Sequence, residues 1–254
     1  MRTVSEIFNA LCEFAPLELQ MDFDNSGFLF GRGDAQVDSV LLSLDVTNDV
    51  IKEAIEKNVQ LIISHHPLIW SAPKAITDNS AYTEKLLTLA ENGIAVISMH
   101  TNLDCAQGGV NDVLLSFFCD DMACDTLEDC GRIGILKEAL SMTHFLQLCK
   151  QKLGCKGIRY YDSGRKVSKL GVFGGSGADS LKEAWDKGCD TLLTADVKYH
   201  QFLEAAELGL NLIDADHFYT ENPVIFELCK IIRNIFPEIN TFVSQVHRAV
   251  IDFA

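Results

Sequence analysis

Residues 39–44, SVLLSL, form a nearly unbroken apolar run of strand length, and the segment after it changes to a helical period. In DVTNDVIKEAIEKN (45–58), Val50, Ile51, Ala54 and Ile55 fall on one face of a helix, with Thr47 or Asn48 placed to cap it. A second apolar run, QLIIS at 60–64, completes a strand–helix–strand unit. The same pattern returns 130 positions later: KLGVFG, then GSGADSLKEAWDKG, then DTLLT at 190–194, in one ungapped frame. Lys52, Glu53, Ala54 and Lys57 fall on Lys182, Glu183, Ala184 and Lys187. GIAVISMH (93–100) is echoed by GLNLIDAD (209–216) at an offset of 116, so the second copy has a shorter intervening segment. Shared charged positions in an ungapped frame point to duplication rather than to generic α/β patterning.

Strands alternating with amphipathic helices predict an α/β fold of two similar, duplicated layers, each a mixed, mainly parallel sheet flanked by helices. The predicted domains are 1–125 plus about 217–254, a discontinuous first unit, and 126–216, a second. The stretch FFCDDMACDTLEDCGR (117–132) has no clear period and is expected to connect them.

Composition narrows the function classes. The 254-residue chain is 48% hydrophobic, enough for a large core, and its 21 basic against 36 acidic residues give a net charge of −15. Such a charge repels nucleic-acid backbones and anionic membranes, so nucleic acid is disfavoured as a partner unless basic residues gather locally. The start, MRTVSEIFNALCEF, lacks the apolar core of a signal peptide, no run approaches a membrane span, and a cytoplasmic location is expected. Nine cysteines without a CxxC pair read as scattered thiols; Cys119, Cys124 and Cys130 come nearest to a cluster and are expected to be partly buried.

Candidate chemistry sits at strand ends, where open α/β sheets collect ligands. QLIIS runs into His65-His66-Pro67, AVISM into His100-Thr101-Asn102-Leu103-Asp104, and LNLIDA into Asp216-His217, with Glu221 four residues beyond the histidine. Neighbours on an extended segment point in opposite directions, so His65 and His66 are expected to serve different ions. A mixed imidazole and carboxylate set suits Zn, Fe, Mn or Co better than Ca or Mg. A helical turn beginning near Tyr219 or Thr220 would bring His217 and Glu221 to one face. Asp45, directly after a strand, either orients a ligand histidine or marks the start of the following helix. Each feature alone fits an ordinary turn or a hydrogen-bonded core histidine; three strand ends with ligand-type residues favour a metal site.

In these residues the chain resembles the NIF3-like family, often labelled GTP cyclohydrolase 1 type 2 or YbgI-like. The resemblance runs nearly end to end. It rests on Asp24-Asn25-Ser26-Gly27 with Gly31, Leu44-Asp45-Val46-Thr47, Ser64-His65-His66-Pro67, His100 to Asp104, Ala195-Asp196-Val197-Lys198-Tyr199-His200 and Asp216 to Glu221. It implies a NIF3-like fold and two divalent ions per chain: His66 and Asp104 on one, His65 and His217 on the other, Glu221 bridging. It also implies a homohexameric ring. Asp216 stands where the family usually has glycine, which bears on the loop before His217.

The expected function is a dinuclear metal-dependent hydrolase, with GTP cyclohydrolase-type ring opening or hydrolysis of a phosphoester or nucleotide as its chemistry and a small phosphorylated or nucleotide substrate. His100 and His200 are the catalytic acid/base candidates. The alternative is a non-enzymatic metal-binding, metal-delivery or scaffold protein, which needs the ligands but no proton donor.

Overall fold

The chain begins with strand β1 (Arg2–Thr3) and helix α1 (Val4–Phe14), capped by a reciprocal pair of hydrogen bonds between Thr3 and Glu6. Strands β2 (Gly27–Phe30), β3 (Gln36–Val37) and β4 (Ser39–Ser43) follow. Then come α2 (Asn48–Glu56), β5 (Leu61–Ser64), α3 (Ala81–Glu91), β6 (Ala95–Ser98) and α4 (Thr101–Cys105). The next stretch comprises α5 (Val110–Ser116), β7 (Asp125–Leu127), β8 (Gly131–Leu140), α6 (Met142–Leu153), β9 (Arg159–Tyr161) and β10 (Val167–Val172). It continues through α7 (Leu181–Asp186), β11 (Thr191–Thr194), α8 (Tyr199–Leu208), β12 (Asn211–Asp214) and α9 (His217–Glu221). Helix α10 (Pro223–Ile235) and strand β13 (Asn240–Val243) close the chain's regular structure. These elements come from a computed structural model that describes residues 1–120 and 125–253.

Two compact units result: Met1–Ala106 with Ile225–Arg248, and Gln107–Val224 with Ala249–Ala254. The first carries a five-stranded sheet in the order β13-β4-β5-β6-β2, the second a six-stranded sheet in the order β7-β8-β10-β11-β12-β9. In each, three parallel strands form the centre, and an antiparallel strand flanks the last of them. The fold is thus mixed α/β with helices on the sheets.

Duplication extends to hydrogen-bond register. Val40 pairs with Leu61, and 130 positions on Leu170 pairs with Thr191. Leu61 pairs with Ala95, and Thr191 with Asn211, the partner shifted by 116. Strands β5, β6, β11 and β12 are buried at all positions, which explains their near-continuous apolar runs. Thr47 caps α2 by accepting from the Val50 amide at 3.2 Å, and α2 lays Val50, Ile51 and Ala54 against Leu41 and Ile62 in the first core. In the second, Phe145 and Leu153 of α6 pack with Leu170, Leu193 and Ile213.

Four expectations need correction. The unit boundary falls at 106/107 rather than near 125, because α5 packs on β8 of the second sheet. The return falls at 224/225 rather than about 217, because α9 packs on α5 and stays in the second unit. The supposed connector 117–132 contains β7 and a turn into β8, which pair antiparallel from Asp125 to Ile133. Cys12, Cys119, Cys149, Cys155, Cys189 and Cys229 are thiols as expected, but Cys105 and Cys130 are disulfide-bonded; Cys124 lies outside the described residues. Among the described residues, no helix is long and apolar enough to cross a membrane.

Candidate metal centre

The first unit assembles its polar cluster beyond the carboxyl ends of β4, β5 and β6. Strand β5 stops at Ser64, whose hydroxyl donates to the His66 carbonyl at 2.8 Å and shares a 2.8 Å bond with the Ser98 hydroxyl. The chain bends there, so the alternation of a pleated strand does not reach the two histidines. Instead of diverging, the rings of His65 and His66 lie 5.0 Å apart between centroids, and His100 joins them at 5.1 and 5.7 Å. One ring nitrogen from each of the three lies within 4.8 Å of the others. Asp104, on α4, places Oδ1 3.6 Å from His65 Nε2.

Each imidazole is held from behind. His65 Nδ1 donates to the Met99 carbonyl at 2.8 Å; His66 Nδ1 lies 2.7 Å from Asp45 Oδ1, and His100 Nδ1 2.7 Å from Asp24 Oδ1. A carbonyl or ionised carboxylate can only accept, so in the neutral ring the proton sits on Nδ1 and the lone pair on Nε2, the tautomer that binds a cation. Asp24 is buried, which opposes its charge. Yet His100, Ser26 and Thr101 hold its carboxyl well below the usual range. Burial opposes Asp45 likewise, and His247 and His66 hold its carboxyl low.

In the second unit, α9 starts at His217 itself, earlier than expected. The reason is Asp216: at φ 72° it turns the chain sharply, and its Oδ1 accepts from the Phe218 amide at 3.0 Å as the N-cap. A left-handed backbone here accounts for the glycine expected at this position. His217 and Glu221 then share a helix face, with Nε2 2.9 Å from Glu221 Oε2, while His217 Nδ1 lies 2.7 Å from Asp196 Oδ2. Burial pulls the His217 pKa down, but Asp196 and Glu221 outweigh it and raise it to about 11. The hydrogen bond from His217 in turn holds Asp196 below the usual range.

That proton has a measurable consequence. A raised pKa stabilises the fold fully below the unfolded value of 6.5 and loses that contribution as pH climbs toward 11. A cation at His217 must displace it, so divalent-ion affinity measured by chelator competition should rise roughly tenfold per pH unit from 6.5 to 8.5. A flat profile would remove His217 from the ligand set.

Of the residues singled out from sequence, His65, His66, His100 and Asp104 gather in the first unit, and His217 and Glu221 in the second. His200 is exposed on the first turn of α8, and among the described residues it is in no imidazole–carboxylate group. In its motif, Asp196 is the residue that touches a ligand candidate. Asp24 stood in a family motif without a role and His247 went unremarked, because their contacts reach 76 residues to His100 and 202 to Asp45.

Two α/β units with one register, each carrying imidazoles and carboxylates at strand ends, define a duplicated α/β protein with side-chain groups that could hold a metal ion. The chain belongs to the Duf34/NIF3 (NGG1p interacting factor 3) family, whose model matches residues 2–249. It is 34% identical over 89% of its length to a Clostridium acetobutylicum protein named GTP cyclohydrolase 1 type 2 homolog, covering 88% of that protein. Among solved structures it resembles a Bacillus cereus protein related to NIF3, with a TM-score of 0.93, 23% identity and coverage of 100% of this chain and 99% of the other. Reduced HcgD from Methanocaldococcus jannaschii gives 0.84 at 29% identity, covering 96% and 98%.

Proposed function

We propose that the protein is a dinuclear metal-dependent hydrolase acting on a small phosphorylated or nucleotide substrate, with ring opening of a purine such as that of GTP as the leading reaction. His66 and Asp104 would hold one divalent ion, His65 and His217 the other, and Glu221 would be shared between them. One observation carries this reading: the ligand candidates His65 and His66 have Nδ1 engaged by an acceptor at 2.8 and 2.7 Å, which leaves Nε2 to bind a cation, and His217, with Nδ1 2.7 Å from Asp196, offers Nε2 once the proton it shares with Glu221 is displaced. The donor set fits Zn, Fe, Mn or Co. The name GTP cyclohydrolase 1 type 2 homolog, carried by relatives, supports the chemistry.

When bound, two such ions lower the pKa of water and offset charge on attacking and leaving oxygens. The chain's own residues supply the rest. Asp45, Asp24 and Asp196 keep the rings oriented. His100, with Nδ1 held by Asp24, offers Nε2 to accept a proton from the attacking water or return one to the leaving group. His200 is the second acid/base candidate, and the family resemblance brings a homohexameric ring into the proposal.

The test is turnover of GTP and simple phosphoesters by metal-loaded protein. We expect His100→Ala to lower kcat roughly 100-fold with metal retained, and a smaller loss for His200→Ala. Full metal occupancy with no turnover on any of these compounds would favour the metal-delivery alternative. Equal turnover by wild type and His100→Ala would remove His100 from the chemistry.

A further inference from the structure

The C-terminal tail beyond β13 contacts the polar cluster at the end of β4. Gln245, Val246 and Arg248 are exposed, yet the His247 side chain between them is only 8% exposed. It is turned inward to Asp45: with the proton on Nδ1, Nε2 accepts from the Asp45 amide at 3.3 Å, and with the proton on Nε2 it donates to Asp45 Oδ2, the shorter contact at 3.0 Å. The other carboxylate oxygen, Oδ1, takes His66 Nδ1 at 2.7 Å. One carboxylate thus lies between two imidazoles, one per oxygen.

The tail is seated by specific bonds. Ser244 donates its amide to the Leu42 carbonyl at 2.8 Å and its hydroxyl to Glu53 Oε2 at 2.6 Å. The Gln245 amide donates to Glu53 at 3.1 and 3.2 Å, and the His247 amide to the Ser244 hydroxyl at 3.2 Å. Glu53 is itself buried, so an α2 carboxylate is committed to holding a stretch of otherwise exposed tail. A half-exposed aspartate such as Asp45 would rotate and exchange with water if held at one oxygen only; a second donor on the other oxygen fixes its plane.

We infer that His247 is a positioning residue for His66: through Asp45 it fixes the ring orientation and tautomer of that ligand, so the C-terminal tail completes the metal centre. This rests on the metal-centre reading above. It adds a requirement that the proposed ligand set does not contain, a residue 181 positions from His66 in sequence.

The test uses the full chain with Zn as the affinity probe, by chelator competition, and Co as the spectroscopic probe, by its visible absorption. Thermal midpoints run alongside. We expect His247→Ala to weaken Zn binding roughly tenfold and shift the Co spectrum, and His247→Gln, which returns an N–H donor near the Nε2 position, to restore both. Ser244→Ala slackens the tail without touching the ring and should cost about threefold in affinity, so the inference stays testable if His247→Ala folds poorly. Wild-type affinity in both His247→Ala and Ser244→Ala overturns the inference while leaving the metal centre standing. Equal impairment in His247→Gln and His247→Ala overturns it too, since that marks a packing role. A wild-type protein that takes up neither Zn nor Co overturns the metal centre and this inference with it.

Discussion

Asp24→Ala is expected to destabilise the protein by about 3–5 kcal/mol, lowering the thermal midpoint by on the order of 10 °C, and to free His100. The side chain is fully buried and serves five donors: His100 Nδ1 at 2.7 Å, the Ser26 hydroxyl and Asn25 amide at 2.6 Å, the Thr101 amide at 3.0 Å, and the Thr101 hydroxyl. Alanine leaves these donors facing a void, and the cost of buried donors without an acceptor exceeds the net worth of the bonds themselves. Asp24→Asn keeps the shape but turns an NH2 toward some of the donors, and should cost less, about 2 kcal/mol. The pH dependence has a definite sign. The folded carboxyl titrates below its unfolded value, so its contribution is complete above about pH 4 and disappears as the pH falls further. Urea unfolding of wild type and Asp24→Asn at pH 7 and pH 3.5 reads this directly: the gap between them should narrow at the lower pH. A gap that stays constant would show that the carboxylate charge does not matter.

Gly175→Ala is the second large effect, and it falls on binding more than on folding. Gly175 lies at φ 62°, where a Cβ costs about 1–2 kcal/mol. That Cβ would also sit 2.0 Å from Glu221 Oε1 and 3.2 Å from His217 Cε1. The backbone cannot yield easily. Its amide donates to Thr220 Oγ1 at 3.1 Å, while its carbonyl accepts from the Ala195 amide at 2.8 Å and Thr194 Oγ1 at 3.0 Å. The Glu221 carboxylate must therefore move. We expect a loss of a few degrees in thermal midpoint and at least a tenfold loss in metal affinity. Unchanged affinity would mean that the Glu221 position is not critical. The 130-residue repeat gives this glycine a meaning: position 175 corresponds to Asp45, so one copy carries a carboxylate where the other leaves space for Glu221.

Much of the fold was readable because burial wrote it into the pattern. Strands covered on both faces appear as apolar runs, and the offsets of 130 and 116 that relate the copies in sequence also relate their strand registers. The strand-end residues were readable for the same reason, since the runs lead into them. What escaped was anything dependent on local backbone bending or long-range pairing. Alternation along an extended chain predicts diverging histidines, but a serine hydroxyl bonded to the His66 carbonyl ends the strand and lets the rings converge. The start of α9 depended on Asp216 adopting a left-handed conformation, which a non-glycine residue does not advertise. Of the acceptors behind the rings, Asp45 was readable from its place directly after a strand, whereas Asp24 and Asp196 stood only in family motifs, because no periodicity links them to His100 and His217, 76 and 21 residues away.

The central claim is a carboxylate-bridged pair of ions, and metal content tests it most directly. Wild type, His65→Ala and Glu221→Ala would be purified without added metal or chelator and analysed for bound transition metals. The account predicts about two ions per wild-type chain, loss of mainly one in His65→Ala and of both in Glu221→Ala. Wild-type protein that carries no transition metal and takes up none when Zn, Mn or Fe is added would contradict it, leaving the histidines as hydrogen-bonded residues at the ends of strands.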